Sequence, residues 1–230
     1  MPQDICQEQI TAVNFANGVL REDRKLYPHD SRWGMTYMLP FRYLPEEGGK
    51  CSKFMEFLDR AWEPDPDRED KKALLQEMIC ATMFNMTPML QKAFLLKGLA
   101  RTGKSQLVDI VKALVPQEAQ CVCPPDTWHD KFAPTHMHKK LLNVANELSE
   151  VKRLDGTRFK DIIDGNDLMM QLKGGQIFSA PARPAHWFTS NHLPKSDDTS
   201  NGFIRRWACL IFNNPVPPGE VKFDYGASIA

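Results

Sequence analysis

Between residues 52 and 62 the apolar positions Phe54, Phe57, Leu58 and Trp62 recur at the spacing that stacks side chains along one face of a helix. The polar stretch EPDPDRED then breaks the pattern, and the change predicts a domain boundary near residue 65. Leu74, Leu75, Met78, Met83 and Phe84 resume a helical rhythm among good helix formers, and Pro88 ends that helix or follows soon after its end. Beyond Pro88 the period changes. AFLLKG, residues 93–98, is an unbroken apolar run suited to a strand buried on both faces, and SQLVDIVKALV is an amphipathic helix reached through a glycine-containing loop. LLNVANE reads as a second buried strand, DGTRFKDIID as a short helix, HWFTSN as a third strand and RRWACLIF as a fourth. Strands separated by helices imply an α/β fold with a mostly parallel sheet. Gly174 and Gly175, set among alternating side chains between Leu168 and Phe178, predict a β-hairpin. Residues 11–46 mix β-branched and aromatic residues with turn formers and read as short strands and loops.

Composition narrows the class. A chain of 230 residues can bury one sizeable core with a smaller flanking region, and 42% hydrophobic with 25% charged residues is the make-up of a globular protein. Lys plus Arg equals Asp plus Glu at 29 each, so any nucleic-acid site must be local rather than a global excess of positive charge. The six cysteines are scattered behind no apolar signal segment, which points to reduced thiols and a cytoplasmic location. No run approaches the roughly 20 apolar residues that a membrane span needs. Cys121, Cys123, His129, His136 and His138 lack the paired spacing of a structural zinc site and read as part of a loop between core strands.

GLARTGKS, residues 98–105, fits the phosphate-binding pattern of Gly, four residues, Gly, Lys, then Ser or Thr. Gly98 and Gly103 permit backbone conformations closed to other residues, so the N–H groups of Leu99, Ala100, Arg101 and Thr102 can turn inward around phosphates. The helix that opens at Gly103 adds its positive end and runs on through Gln106. Lys104 supplies a point charge to the β and γ oxygens, and the Ser105 hydroxyl is a hard ligand for Mg2+. The implied ligand is a magnesium nucleoside triphosphate, with ATP as the expected cofactor. Asn146 and Glu147 close the second strand, where such an enzyme needs an acidic site for metal and water. Glu147 is the candidate to polarise the water, with Asn146 or a metal-bound water in the metal-facing place. A solvated acidic segment is the alternative, since Glu150 lies nearby. Asn191 ends the third strand, where its amide could touch both the γ-phosphate and the water, or form a turn before His192 and Pro194. Arg205 and Arg206 precede the fourth strand and could reach a neighbour's γ-phosphate, or be ordinary surface arginines.

In this order GLARTGKS, LLNVANE, FKDIIDGNDLMMQLKGGQIF, WFTSNHLP and FIRRWACLIF resemble the A, B, B-prime, C and arginine-finger motifs of superfamily 3 helicases, the poxvirus, phage and plasmid primase-helicase type within the AAA+ class. The resemblance covers residues 14 to 214. It implies a hexameric ring that hydrolyses ATP between subunits and draws single-stranded DNA through its centre in the replication of a virus, phage, plasmid or mobile element, in a host cytoplasm. Lys104 and Ser105 would bind nucleotide and metal, Glu147 would activate water, Asn191 would sense the γ-phosphate, and Arg206 or Arg205 would act in trans. Lys173, at the hairpin tip, would touch the DNA backbone, with Gln171 beside it where the family often has arginine. Lys160 matches a lysine that precedes the element Gly165, Asn166, Asp167. Thr102 stands where the family often has asparagine.

The expected organisation is a lead region over 1–65, a helical segment over 66–93, the ATPase core over 94–214 and a tail over 215–230. It is that of a minimal helicase or a fragment of a longer primase-helicase, working with a primase or polymerase domain or other replication proteins and with no membrane. Two rival functions fit the same P-loop. One is a kinase or other small-molecule phosphotransferase. The other is a nucleotide-gated DNA-binding assembly module with weak hydrolysis.

Overall fold

The computed structural model describes residues 11–47, 51–130, 132–172 and 174–217. Its first part is a small antiparallel sheet, β1 (Ala12–Phe15), β2 (Gly18–Arg21) and β3 (Leu26–Tyr27), followed by helices α1 (Ser52–Trp62), α2 (Arg68–Met83) and α3 (Thr87–Leu90). Strands and helices then alternate: β4 (Ala93–Gly98), α4 (Lys104–Ala113), β5 (Gln120–Cys121), α5 (Ala133–Met137), β6 (Leu142–Ala145), β7 (Arg153–Leu154) and α6 (Gly156–Ile163). The hairpin strands β8 (Asp167–Gln171) and β9 (Ile177–Pro181) come next, then β10 (Ala185–Ser190), β11 (Lys195–Ser196), α7 (Asn201–Ile204) and β12 (Trp207–Phe212).

The central sheet has the order β12–β4–β10–β6–β5, with every neighbouring pair parallel. The mixed α/β class, the mostly parallel sheet and the hairpin therefore stand as the sequence implied. One correction concerns the segment around Cys121, which is not all loop. Gln120 and Cys121 pair with Leu142 and Asn143 as a fifth, edge strand, and Ala133–Met137 is a short helix. Two residues are too few to show a period, so only the tertiary pairing reveals that strand.

Strand alternation divides the core between the two faces of the sheet. Phe94, Leu96, Val144, Trp187 and Leu210 point to the face covered by α1, α2, α4 and the small sheet. Ala93, Leu95, Ala145 and Phe188 point to the other, against α6, the hairpin and Trp128. The first cluster runs across residue 65: Val13, Phe57, Trp62 and Leu75 share it with the strands. Two indole N–H groups fasten the covering helices. Trp62 of α1 donates to the Ile211 carbonyl at 3.0 Å, and Trp187 of β10 donates to the Thr82 hydroxyl of α2 at 2.9 Å. Both tryptophans are fully buried, and burial of a large apolar side chain is worth about 1.5–3 kcal/mol each. Because the strands are parallel, their carboxyl ends open on one side of the sheet, where ligands of such sheets bind.

Candidate functional site

The loop between β4 and α4 is shaped by three left-handed residues and one hydroxyl. Gly98 has φ +155°, and a Cβ there would lie 1.8 Å from the Phe212 carbonyl oxygen, so only glycine lets β12 close against the loop. Arg101 has φ +60° and Gly103 φ +92°, with the Phe57 ring of α1 packed against Gly103. Thr102 is buried, and its hydroxyl donates to the Leu99 carbonyl at 2.8 Å, tying the turn to itself. The loop hands over to α4, whose first-turn N–H groups lack intrahelical acceptors and carry the positive end of the helix dipole.

Lys104 is folded into this turn. Its Nζ donates to the Gly98 carbonyl at 2.8 Å, to the Leu99 carbonyl and to Asn191 Oδ1 at 3.2 Å. Burial lowers its affinity for a proton, and the Glu147 carboxylate opposes that shift. Ser105 lies exposed on the first turn of α4 and lines the same cavity.

Glu147 follows β6 in a left-handed conformation, φ +55°. Its N–H donates to the Thr189 hydroxyl at 3.0 Å, and Leu148 N–H donates to the Thr189 carbonyl, so β10 sets the turn that presents the carboxylate. A cavity of about 580 Å³ results. The loop, Glu147, Thr189 and Asn191 form one wall, and α1 with the segment Asn214–Pro217 forms the other. Asn146 is exposed and does not line the cavity, so the metal-facing role expected of it is corrected. The turn at Glu147 brings only the second residue of the pair to the wall.

A triphosphate fits this arrangement. A side chain at Gly98 would strike β12, and the Lys104 ammonium, the Ser105 and Thr189 hydroxyls and the Glu147 carboxylate line the cavity beside the loop. Among the described residues no group of three or more His, Cys, Asp or Glu side chains could cage a metal. A magnesium ion held chiefly by waters and phosphate oxygens would find the Ser105 hydroxyl on the lining of the same cavity.

The sequence reading missed part of the wall. Thr189 was hidden inside an apolar strand. Phe57 counted only as core. Residues from 215 on were expected to be a tail, yet Val216 N–H donates to the Arg101 carbonyl at 2.8 Å, next to Asn214, whose Nδ2 donates to the Arg60 carbonyl at 2.8 Å. The alternating prolines Pro215 and Pro217 were the available signal, since they stiffen an extended segment.

At the amino end of the sheet the two arginines part company. Arg206 is buried in its own subunit, where Nε donates to Asp164 Oδ1 at 2.8 Å, Nη2 to Asp164 Oδ2 and Nη1 to the Gly202 carbonyl. A role in trans is thereby corrected for Arg206, because its donors are committed within the chain. Arg205 is exposed. It precedes Trp207, at the far end of β12 from Phe212, which pairs with Gly98. At about 3.3 Å per residue that strand puts Arg205 on the order of 20 Å from the β4–α4 loop of its own chain.

Lys160, expected from the resemblance to be a DNA-binding residue, lies on α6, and its ammonium meets the Asp198 carboxylate at 2.7 Å, which holds Asp198 well below the usual carboxylate range. Gln171 donates its side-chain amide to the Gly175 carbonyl at 3.2 Å, and its backbone is bonded to Thr135, so it ties the hairpin turn and anchors it to α5. Lys173 lies outside the described residues. The outer face of the hairpin exposes Met169, Leu172 and Ile177.

Residues 96–206, just short of half the chain, match the model of a family described as a family of unknown function, DUF5906. No curated protein matches significantly. Among solved structures, the apo NrS-1 C-terminal region (305–718) superposes with a TM-score of 0.59 at 21% identity, over 77% of this chain and 42% of that one. The A form of the same region gives 0.58 at 20% identity, over 77% and 42%. This chain thus spans about two fifths of the length of that region, and the likeness is one of fold. A JCV helicase structure is more distant, with a TM-score of 0.45 at 12% identity, over 72% and 45%. No helix among the described residues is long and apolar enough to cross a membrane.

Proposed function

We propose that this chain is the ATPase core of a superfamily 3 DNA helicase, hydrolysing ATP at subunit interfaces to move on single-stranded DNA. The observation that carries the reading is the convergence of Lys104, Glu147 and Asn191. They come from the ends of three neighbouring parallel strands, or the loop just beyond, and meet in one cavity beside a glycine cradle. Lys104 would exchange its carbonyl partners for the β and γ oxygens of the triphosphate. Glu147 would orient the attacking water and accept its proton. Asn191, already bonded to Lys104, would hold that lysine and the γ-phosphate in register. Magnesium, when bound beside Ser105, would neutralise charge on the phosphate oxygens.

The fifth component is Arg205. Exposed and remote from its own P-loop, it suits a second copy's pocket, which supports assembly into a ring. A ring would repeat the hairpin turn, with Lys173, around one DNA strand, and contacts of that kind are to phosphate, sensitive to salt and nearly blind to sequence.

One observation favours a second reading. Asn146 carries an amide and stands outside the cavity, so the turn after β6 brings only the Glu147 carboxylate to the lining, as would suit a nucleotide-gated assembly module with slow hydrolysis. Turnover measured with and without single-stranded DNA, in the parent and in Glu147→Gln, separates the cases. A motor shows stimulation by DNA that Glu147→Gln abolishes. A module assembles with nucleotide and turns over negligibly. Hydrolysis indifferent to DNA, or transfer to a small acceptor, would overturn the helicase reading.

A further inference from the structure

The hairpin and the exposed arginine stand at the same end of the sheet, and a buried ion pair joins them. Asp164 caps α6 at its carboxyl end, and β8 begins three residues later at Asp167. Between them Gly165 N–H bonds to Ile162 and Asn166 N–H to Asp161, so the turn into the hairpin is an extension of the last turn of α6. Arg206 grips Asp164 with both arms of its guanidinium, and Arg183, just past the return strand β9, donates Nε to the Gly165 carbonyl at 3.1 Å. The hairpin root is therefore held between two arginines.

Arg206 is also the residue after Arg205. Their carbonyls accept from Ala93 N–H at 2.8 Å and from the Lys92 ammonium, which fixes this dipeptide to the start of β4. A buried ion pair adds less stability than an apolar pair of similar volume, because both charges lose water. A two-point fork, however, transmits orientation, which an apolar contact does not. The side chains of Arg206 and Asp164 are 7% and 19% exposed, so water does not loosen the fork.

Resting on the reading of Arg205 as a residue that enters a neighbour's pocket, we propose that Arg206 is a positioning residue and that its fork to Asp164 couples Arg205 to the hairpin root. The hairpin of one subunit then responds to the nucleotide of the adjacent subunit. Its own pocket lies at the opposite end of the sheet. A shift of Arg205 toward a γ-phosphate draws Arg206 with it, and the fork passes the shift to Asp164 and on to β8.

The test is amide hydrogen exchange over residues 167–181 in the assembled full chain, with and without a non-hydrolysable ATP analogue. Analogue affinity, oligomer mass and thermal midpoint are measured alongside. In the parent the analogue should change hairpin exchange severalfold. Asp164→Asn, which keeps the shape and loses the charge, should bind the analogue as the parent does and lose that change. Arg206→Lys, which keeps the charge and loses one arm of the fork, should restore part of it, and serves if Asp164→Asn folds poorly. Arg205→Ala should also silence the hairpin. A hairpin that responds in Asp164→Asn or in Arg205→Ala as in the parent overturns the coupling. So does a parent that binds the analogue with an unresponsive hairpin, while the nucleotide site stands. A parent without affinity for the analogue overturns the site and the coupling together.

Discussion

The two ends of the central sheet are built on opposite plans. At the carboxyl end the site is tied within the chain: the Lys104 ammonium to loop carbonyls and Asn191, the Glu147 backbone N–H to the Thr189 hydroxyl, and the Arg101 carbonyl to Val216 N–H. At the amino end Arg206 is locked inward, while its neighbour Arg205 and the hairpin side chains Met169, Leu172 and Ile177 face outward. The first plan fixes the loop and its flanking turns by internal hydrogen bonds, so a bound anion need displace only the carbonyl partners of Lys104. The second suits groups whose partners come from outside the chain. The difference teaches that the groups around the cavity are held by contacts within one copy, whereas Arg205 and the hairpin face present exposed side chains.

Substitutions at the two ends should therefore fail in different ways. The largest effect belongs to Lys104→Ala, which removes the ammonium that is folded into the loop and bonded to Asn191. Nucleotide binding measured by calorimetry should be lost, with turnover down by on the order of 10³ or more. Glu147→Gln should leave nucleotide binding in place and lower kcat by about 10² to 10⁴, as expected for loss of a general base. Equal loss of binding in both variants would erase the distinction between holding the triphosphate and activating water.

The next effect is one of stability and belongs to the amino half. His186 is buried, its Nδ1 meets the Asn143 amide at 3.0 Å, and Nε2 has no hydrogen-bond partner among the described residues. Burial pushes its pKa down from 6.5 to about 3. Its folded value lies below its unfolded one, so the unfolded chain binds the extra proton between those two pH values. Stability should accordingly fall as pH drops through that window, by up to about 1.4 kcal/mol per unit from this residue. Denaturant midpoints from pH 7 to pH 4 in the parent and in His186→Phe measure the slope, which should be shallower in the variant. The smallest effect on stability belongs to the hairpin face. Met169→Ser should change unfolding free energy by no more than about 0.5 kcal/mol. Assembly or DNA-stimulated turnover should change nonetheless, because that side chain is 68% exposed.

Much of this was legible in the chain and some was not, for physical reasons. The helix over Ser52–Trp62 was readable because Phe54, Phe57, Leu58 and Trp62 recur at helical spacing, and β4 because a strand covered on both sides must be apolar throughout. The P-loop was readable because two left-handed glycines at fixed spacing have few other uses. Which of two adjacent arginines turns inward was not readable, because that choice depends on Asp164, 42 residues away along the chain. Nor could the sequence show that Lys160 is held by Asp198, or that the left-handed turn at Glu147 leaves Asn146 outside the cavity. Sequence spacing reports elements whose period is local, whereas partners brought together by the sheet leave no such trace.

The central claim is that one copy supplies the cradle and the next supplies Arg205, and complementation tests it most directly. Arg205→Ala subunits keep an intact cradle, and Lys104→Ala subunits keep an intact arginine. Each alone should show negligible ATP turnover, and mixing them under assembly conditions should restore a measurable rate. A mixture as inactive as its components while mixed oligomers form, or full activity in Arg205→Ala alone, would contradict the account.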